Sequence, residues 1–152
     1  MKIVRKIYLE TFSHATERKD RVSQALLNIL PQECREQYVN RITFNLLHGF
    51  FKNPIFYLKL NIEEEKVAEK TLKHILTALS PVDYDHIISS INLRHDGKGN
   101  LYLRFNKQDA YLGYITVDEE SDDVIKVKVT LYPHIRKTEE IINALRKIRE
   151  KP

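Results

Sequence analysis

The stretch INLRHDGKGNLYLRFNKQDAYLGY, Ile91 to Tyr114, carries the alternation from which a fold can be read. Ile91, Leu93, Leu101, Leu103 and Phe105 share one face if Leu93 lies opposite Leu103, which leaves Gly97, Lys98 and Gly99 as a three-residue hairpin loop. A glycine there supplies the positive φ that closing the loop requires. The other face then carries Asn92, Arg94, Tyr102 and Arg104. Guanidinium forks beside an aromatic ring are the groups with which a protein surface meets phosphates and bases.

The same reading extends outward from this segment. Val124 to Tyr132 is the clearest strand, with Ile125, Val127, Val129 and Leu131 inward and Lys126, Lys128, Thr130 and Tyr132 outward. Ile3 to Phe12 reads as a strand with Ile3, Ile7 and Leu9 on one face and Val4, Lys6 and Tyr8 on the other, its alternation broken at Arg5. Arg41 to Leu47 and Pro54 to Ile62 read as two more, joined through Gly49 and the Asn53-Pro54 pair. Tyr114 to Val117 reads as a brief strand.

Helical spacing falls between them. Thr16 is placed to cap a helix on Val22, Ala25, Leu26, Ile29 and Leu30 that Pro31 stops, and a short piece over Glu33 to Tyr38 follows. Asn61 and Glu64 have capping-box spacing for a helix to Leu79, with Ala68, Leu72, Ile75 and Leu79 inward and Lys66, Lys70 and Lys73 outward. Ser80 and Pro81 start a helix through Ser89, Lys107 to Leu112 makes a helical turn ending at Gly113, and Thr138 caps a last helix on Ile141, Ile142, Leu145 and Ile148.

Strands with one apolar and one polar face imply a mostly antiparallel sheet covered by helices on one side, hence an α+β fold. At 152 residues and 42% hydrophobic, the chain is expected to form one domain spanning 1–152. Strand parity places Lys6, Tyr8, Tyr57, Lys59, Arg94, Tyr102, Arg104, Lys126, Lys128 and Tyr132 on the uncovered side. Lys107 and Gln108, directly after the hairpin, add an exposed polar contact. Such a face suits a polyanion, although tyrosine and lysine are also ordinary on solvated sheets.

The net charge of +4 understates the asymmetry, because five of the 21 acidic residues lie in the run Asp118 to Asp123. Outside that run 25 basic residues face 16 acidic ones. Cys34 stands alone, which excludes an internal disulfide and suits a reducing compartment. No apolar stretch follows the charged Met1 to Ile7 segment, so a cytoplasmic protein with no membrane partner is expected.

Signs of catalysis are lacking. The six histidines never recur three or four residues apart, and the glycines form no phosphate loop, so no catalytic residue, metal or cofactor is expected. The acidic run reads as a solvated turn, and His14 either contacts a base or orders the turn after the first strand. Two functions lead, RNA binding on the sheet face or a protein-interaction subunit docking through Phe50, Phe51 and Phe56, with an enzyme ranking third. A homodimer is compatible with either.

Several segments resemble an archaeal family of RNA-binding proteins, some of whose members are called exosome subunits, with folds similar to the ribosomal protein that binds 5S rRNA. They are His14-Ala15-Thr16-Glu17, Asn28-Ile29-Leu30-Pro31, Gly49 with Asn53-Pro54-Ile55, and Arg94-His95-Asp96 through Leu101-Tyr102-Leu103-Arg104 to Lys107-Gln108. Where the family usually has His-Tyr-Gly, this chain has Phe50, Phe51 and Lys52. The resemblance implies a noncatalytic RNA-binding protein linked to RNA processing or ribosome assembly, with the partner proteins of an RNA-processing complex.

Overall fold

Burial with a period of two and burial with a helical period alternate along the chain, and together they set its layers. A computed structural model describes residues 2–48 and 53–152. Among them the order is β1 (Val4–Ser13), α1 (Lys19–Leu27), α2 (Gln32–Tyr38), a 3-10 turn (Val39–Arg41), β2 (Thr43–His48), β3 (Pro54–Ile62) and α3 (Glu65–Ala78). Then come α4 (Pro81–Ser89), α5 (Ile91–Arg94), β4 (Asn100–Asn106), α6 (Lys107–Tyr111), β5 (Val124–Leu131) and α7 (Thr138–Glu150). The five strands form one antiparallel sheet in the order β2-β3-β1-β5-β4. The fold is α+β, as the alternation implied.

One face of the sheet carries Ile7, Leu9, Leu58, Leu60, Ile62, Leu101, Leu103, Phe105, Ile125, Val127, Val129 and Leu131, all buried. Ala68, Leu72 and Ile75 of α3 close over it above β1 and β3, and α1 packs on β1 and α6. The amphipathic α7 adds Ile141, Leu145 and Ile148 and packs against α3 and α5. Each fully buried leucine or isoleucine contributes roughly 1.5–3 kcal/mol, so this layer decides which face stays open.

The break in alternation at Arg5 is a β-bulge. Val4 pairs with Leu131 and Lys6 with Thr130, so two steps on β1 meet one on β5. The extra residue turns Val4 into the core, against the parity read from the sequence, and keeps Lys6 outside.

The hairpin proposed for Ile91 to Phe105 is corrected. Ile91 to Arg94 is a turn of helix, continuing α4 after Ser90, and only His95 bridges to Leu101. Tyr84, Ile87, Ile91 and Arg94 are all buried at helical spacing, whereas Leu93 is 82% exposed. Gly97 and Gly99 both hold positive φ, 73° and 95°, in the loop that Asp96 organises.

Smaller boundaries also move. Thr16 does not cap α1, whose preceding residue is Arg18, because His14 to Glu17 forms its own turn. Pro31 precedes α2 and α1 ends before it at Leu27. Asn61 lies within β3 and caps nothing. Ser80 does cap α4, accepting the Asp83 N–H at 3.1 Å. Tyr114 to Val117 contributes a single bridge, Val117 to Phe105. Thr138 is the first residue of α7 and its hydroxyl meets the His95 ring at 2.9 Å, while Glu140 accepts the Lys137 N–H.

Candidate nucleic-acid interface

Antiparallel pairing sets side chains in rows across the face that no helix covers. Tyr102, Lys128 and Tyr8 form one row with Asn61, and Arg104, Lys126, Glu10, Lys59 and Thr43 form the next. Beyond them, Phe12, Tyr57 and Asn45 pair across β1, β3 and β2, and Asn106 pairs with the buried Val124 across β4 and β5. Eight of the twelve residues singled out from the sequence therefore share this face: Lys6, Tyr8, Tyr57, Lys59, Tyr102, Arg104, Lys126 and Lys128. A shallow depression of about 440 Å³ is walled by Tyr8, Tyr102 and Arg104 with Lys126 and Lys128.

The aromatic rings differ in how free they are. Tyr57 stacks on Phe12 with centroids 4.8 Å apart, and the Lys59 ammonium lies 4.6 Å from its ring. Tyr8 has Lys128 at 5.7 Å and donates its hydroxyl to Glu10 at 3.0 Å. Burial, then that hydrogen bond and the Glu10 charge, push the Tyr8 hydroxyl up to about 12, so it stays neutral. Tyr102 is 45% exposed, its hydroxyl tied to Asp96 at 3.4 Å, and it offers the most open ring for stacking.

Arg104 is held from the side of the acidic loop, donating to the Ser121 carbonyl at 2.7 Å, which aims its guanidinium along the sheet end. Asp118 is fixed in the same loop by Asn106 at 3.0 Å and by the Ser121 and Glu120 N–H groups. The Ser121 hydrogen bond, then that of Asn106, hold its carboxyl below the usual carboxylate range.

Four of the sequence-predicted residues are placed otherwise. Arg94 is buried, 8% exposed, donating to Ser90 Oγ at 2.8 Å and paired with Glu119, because α5 turns it into the protein. Lys107 is 2% exposed, and its ammonium meets the Phe12 carbonyl and Glu17 at 2.8 Å and Asp123 at 2.6 Å. Tyr132 follows the end of β5 and turns its hydroxyl to Glu65 at the start of α3. Gln108 is exposed, but its amide donates to Asp123 at 3.1 Å and Glu17 at 3.3 Å.

Two groups escaped the sequence reading. Glu10 and Phe12 share the open face with Tyr8, as the parity of β1 implies. His14, Glu17 and Asp123 bring ligand atoms within 4.8 Å of one another, a set that no local spacing reveals. Lys107 already supplies a cation between the two carboxylates. Asp123 sits below the usual carboxylate range: burial pushes it up, and the Lys107 and Gln108 hydrogen bonds outweigh that. Phe50 and Phe51 lie outside the described residues, and Phe56 is half-buried with the Lys19 ammonium 4.0 Å from its ring.

Comparison with known proteins places the chain in a family. A family model described as RNA binding matches residues 6–131. A Pyrococcus abyssi protein named as an RNA-binding protein is 32% identical over 142 residues, covering 92% of this chain and 90% of its own. An uncharacterized protein of Methanocaldococcus jannaschii is 34% identical over 123 residues, 79% of each. The crystal structure of an Archaeoglobus fulgidus protein assigned to DUF54 superposes with a TM-score of 0.76 at 26% identity, over 95% of this chain and 99% of the other. The chain belongs to this archaeal RNA-binding family. Among the described residues no helix is long and apolar enough to cross a membrane.

Proposed function

We propose that this chain binds RNA, without catalysing its cleavage, across the open face of the sheet. The observation that carries the reading is the pair of cross-strand rows in which Lys128 lies between Tyr8 and Tyr102 and Lys126 lies beside Arg104. Ammonium and guanidinium groups neutralise phosphates, and a tyrosine ring between them accepts a base without regard to its identity. The binding residues in this reading are Lys6, Tyr8, Tyr57, Lys59, Tyr102, Arg104, Lys126 and Lys128, with Gln108 at the border. The name of the Pyrococcus abyssi relative supports RNA as the polyanion. By the family resemblance, the proposal extends to a cytoplasmic single-domain protein serving RNA processing or ribosome assembly.

The test is binding of structured RNA, single-stranded RNA and duplex DNA across a salt series. Affinity should fall as salt rises, and Arg104→Ala or Lys128→Ala should each lower the salt slope by about one counterion. Tyr102→Ala should cost roughly 1–3 kcal/mol with little change in slope. Changing Lys66, Lys70 and Lys73 together should matter less, since α3 lies on the covered side. If the α3 variant abolishes binding while the sheet variants remain folded and bind normally, the face is misassigned.

A further inference from the structure

The sheet has two outer edges, and the chain treats them differently. Along β4 the edge is covered: the Asn106 N–H reaches the Thr116 carbonyl at 2.9 Å, the Asp118 N–H reaches Arg104 at 3.1 Å, and the Asp96 N–H reaches Asn100 at 3.2 Å. Along β2, among the described residues, no backbone hydrogen bond runs outward from Thr43–His48. Exposed edges are normally guarded by charge, proline, a bulge or short length. β2 has none of these, being six residues paired without interruption to β3, with no charged residue and no proline. It also leaves Phe44 43%, Leu46 50% and Leu47 46% exposed.

We propose that β2 is a homodimer edge, pairing antiparallel with β2 of a second copy about a two-fold axis perpendicular to the sheet and centred on Asn45. A second copy is favoured for two reasons. β2 carries no Asp, Glu, Lys or Arg, so antiparallel pairing of two copies brings no like charges into register along the strand. The strand is also self-complementary. With Asn45 opposite its mate, Phe44 faces the other copy's Leu46 on the helix side, and Thr43 faces Leu47 on the open side. Centring on Leu46 instead would set Phe44 against His48. An odd register would put the two helix layers on opposite faces of the sheet. Only an isologous contact of this kind closes at two copies. The product is a ten-stranded sheet whose two open faces run on into one another.

The experiment uses the full chain without RNA, so its outcome is independent of the RNA reading. Sedimentation equilibrium from about 1 μM to a few hundred micromolar should show a monomer–dimer equilibrium. Leu46→Lys should shift it to monomer, with an unchanged circular dichroism spectrum. Asn45→Cys should form a disulfide-linked dimer on oxidation, because Cα atoms directly opposite on antiparallel strands lie within bridging distance and the native Cys34 is buried. Leu46→Cys should cross-link far less. A chain that stays monomeric throughout overturns the proposal and leaves the edge to a strand from another protein. A dimer indifferent to Leu46→Lys and not linked through position 45 overturns it as well.

Discussion

Lys107 joins three distant parts of the chain: the end of β1 through the Phe12 carbonyl, the turn before α1 through Glu17, and the start of β5 through Asp123. Removing the ammonium leaves two partly shielded carboxylates facing each other. Lys107→Met should therefore destabilise by on the order of 3 kcal/mol, read as a lower urea midpoint at neutral pH. A shift under about 0.5 kcal/mol would show the cluster to be incidental. Asp96 contributes to the acid limb of stability. Burial opposes ionisation of Asp96, but hydrogen bonds from the Asn100 side chain and N–H, the Lys98 N–H and Tyr102 together outweigh it and lower its carboxyl to about 2. A depressed pKa stabilises the fold fully above the ordinary carboxylate value near 4, and that contribution is lost as pH falls from there towards 2. An NMR titration should place the Asp96 midpoint near 2, and Asp96→Asn should flatten the stability profile over that window. The role of Lys107 was not legible locally, because its partners stand 95 and 90 residues before it and 16 after it, and a lysine on its own reads as solvated.

At the scale of elements, the alternation in Asn100–Asn106 and Val124–Leu131 was sufficient to assign both faces, because period two admits no other placement of the apolar side chains. Ile91 to Arg94 was ambiguous in the same terms. Ile91 and Leu93 satisfy a strand, but Ile87, Ile91 and Arg94 satisfy a helix, and the helix wins because it continues α4 and buries Ile91 completely. The two readings predict opposite mutational costs. Ile91→Ala should lose about 3 kcal/mol, and Leu93→Gln should be neutral within about 0.5 kcal/mol in thermal or chemical unfolding. A strand would penalise both. The Arg5 break was visible in the sequence as a fault in parity; that it was a bulge required the register against β5. Strand order was not legible at all, since nothing local tells β1 that it will lie between β3 and β5.

At the scale of the whole molecule, charge is segregated along the sheet. The acidic loop closes the end of the open face near Arg104, with Asp122 and Asp123 lining a depression shared with Glu10, His14, Arg104 and Lys126. In the proposed RNA-binding reading, an approaching polyanion would meet a basic field bounded by a repulsive rim, and the rim would set which end of the face it can use. Within about 10 Å, the screening length at 0.1 M salt, these charges would act on any phosphate that the proposed site brings to Arg104 and Lys126. Asp122 and Glu120 are exposed, and their side chains make no hydrogen bond or ion pair among the described residues, so they can be neutralised without disturbing the loop. Asp122→Asn with Glu120→Gln should raise RNA affinity a few-fold at low salt, mainly through the association rate, and the difference should vanish as salt approaches 1 M. Glu139→Gln with Glu150→Gln on α7 adds the same two units of net charge away from the open face. That control should give a smaller gain. Equal gains from both pairs would mean that RNA responds only to total charge, whereas a gain confined to the loop pair would place the bound strand beside Arg104 at the β4 end of the sheet.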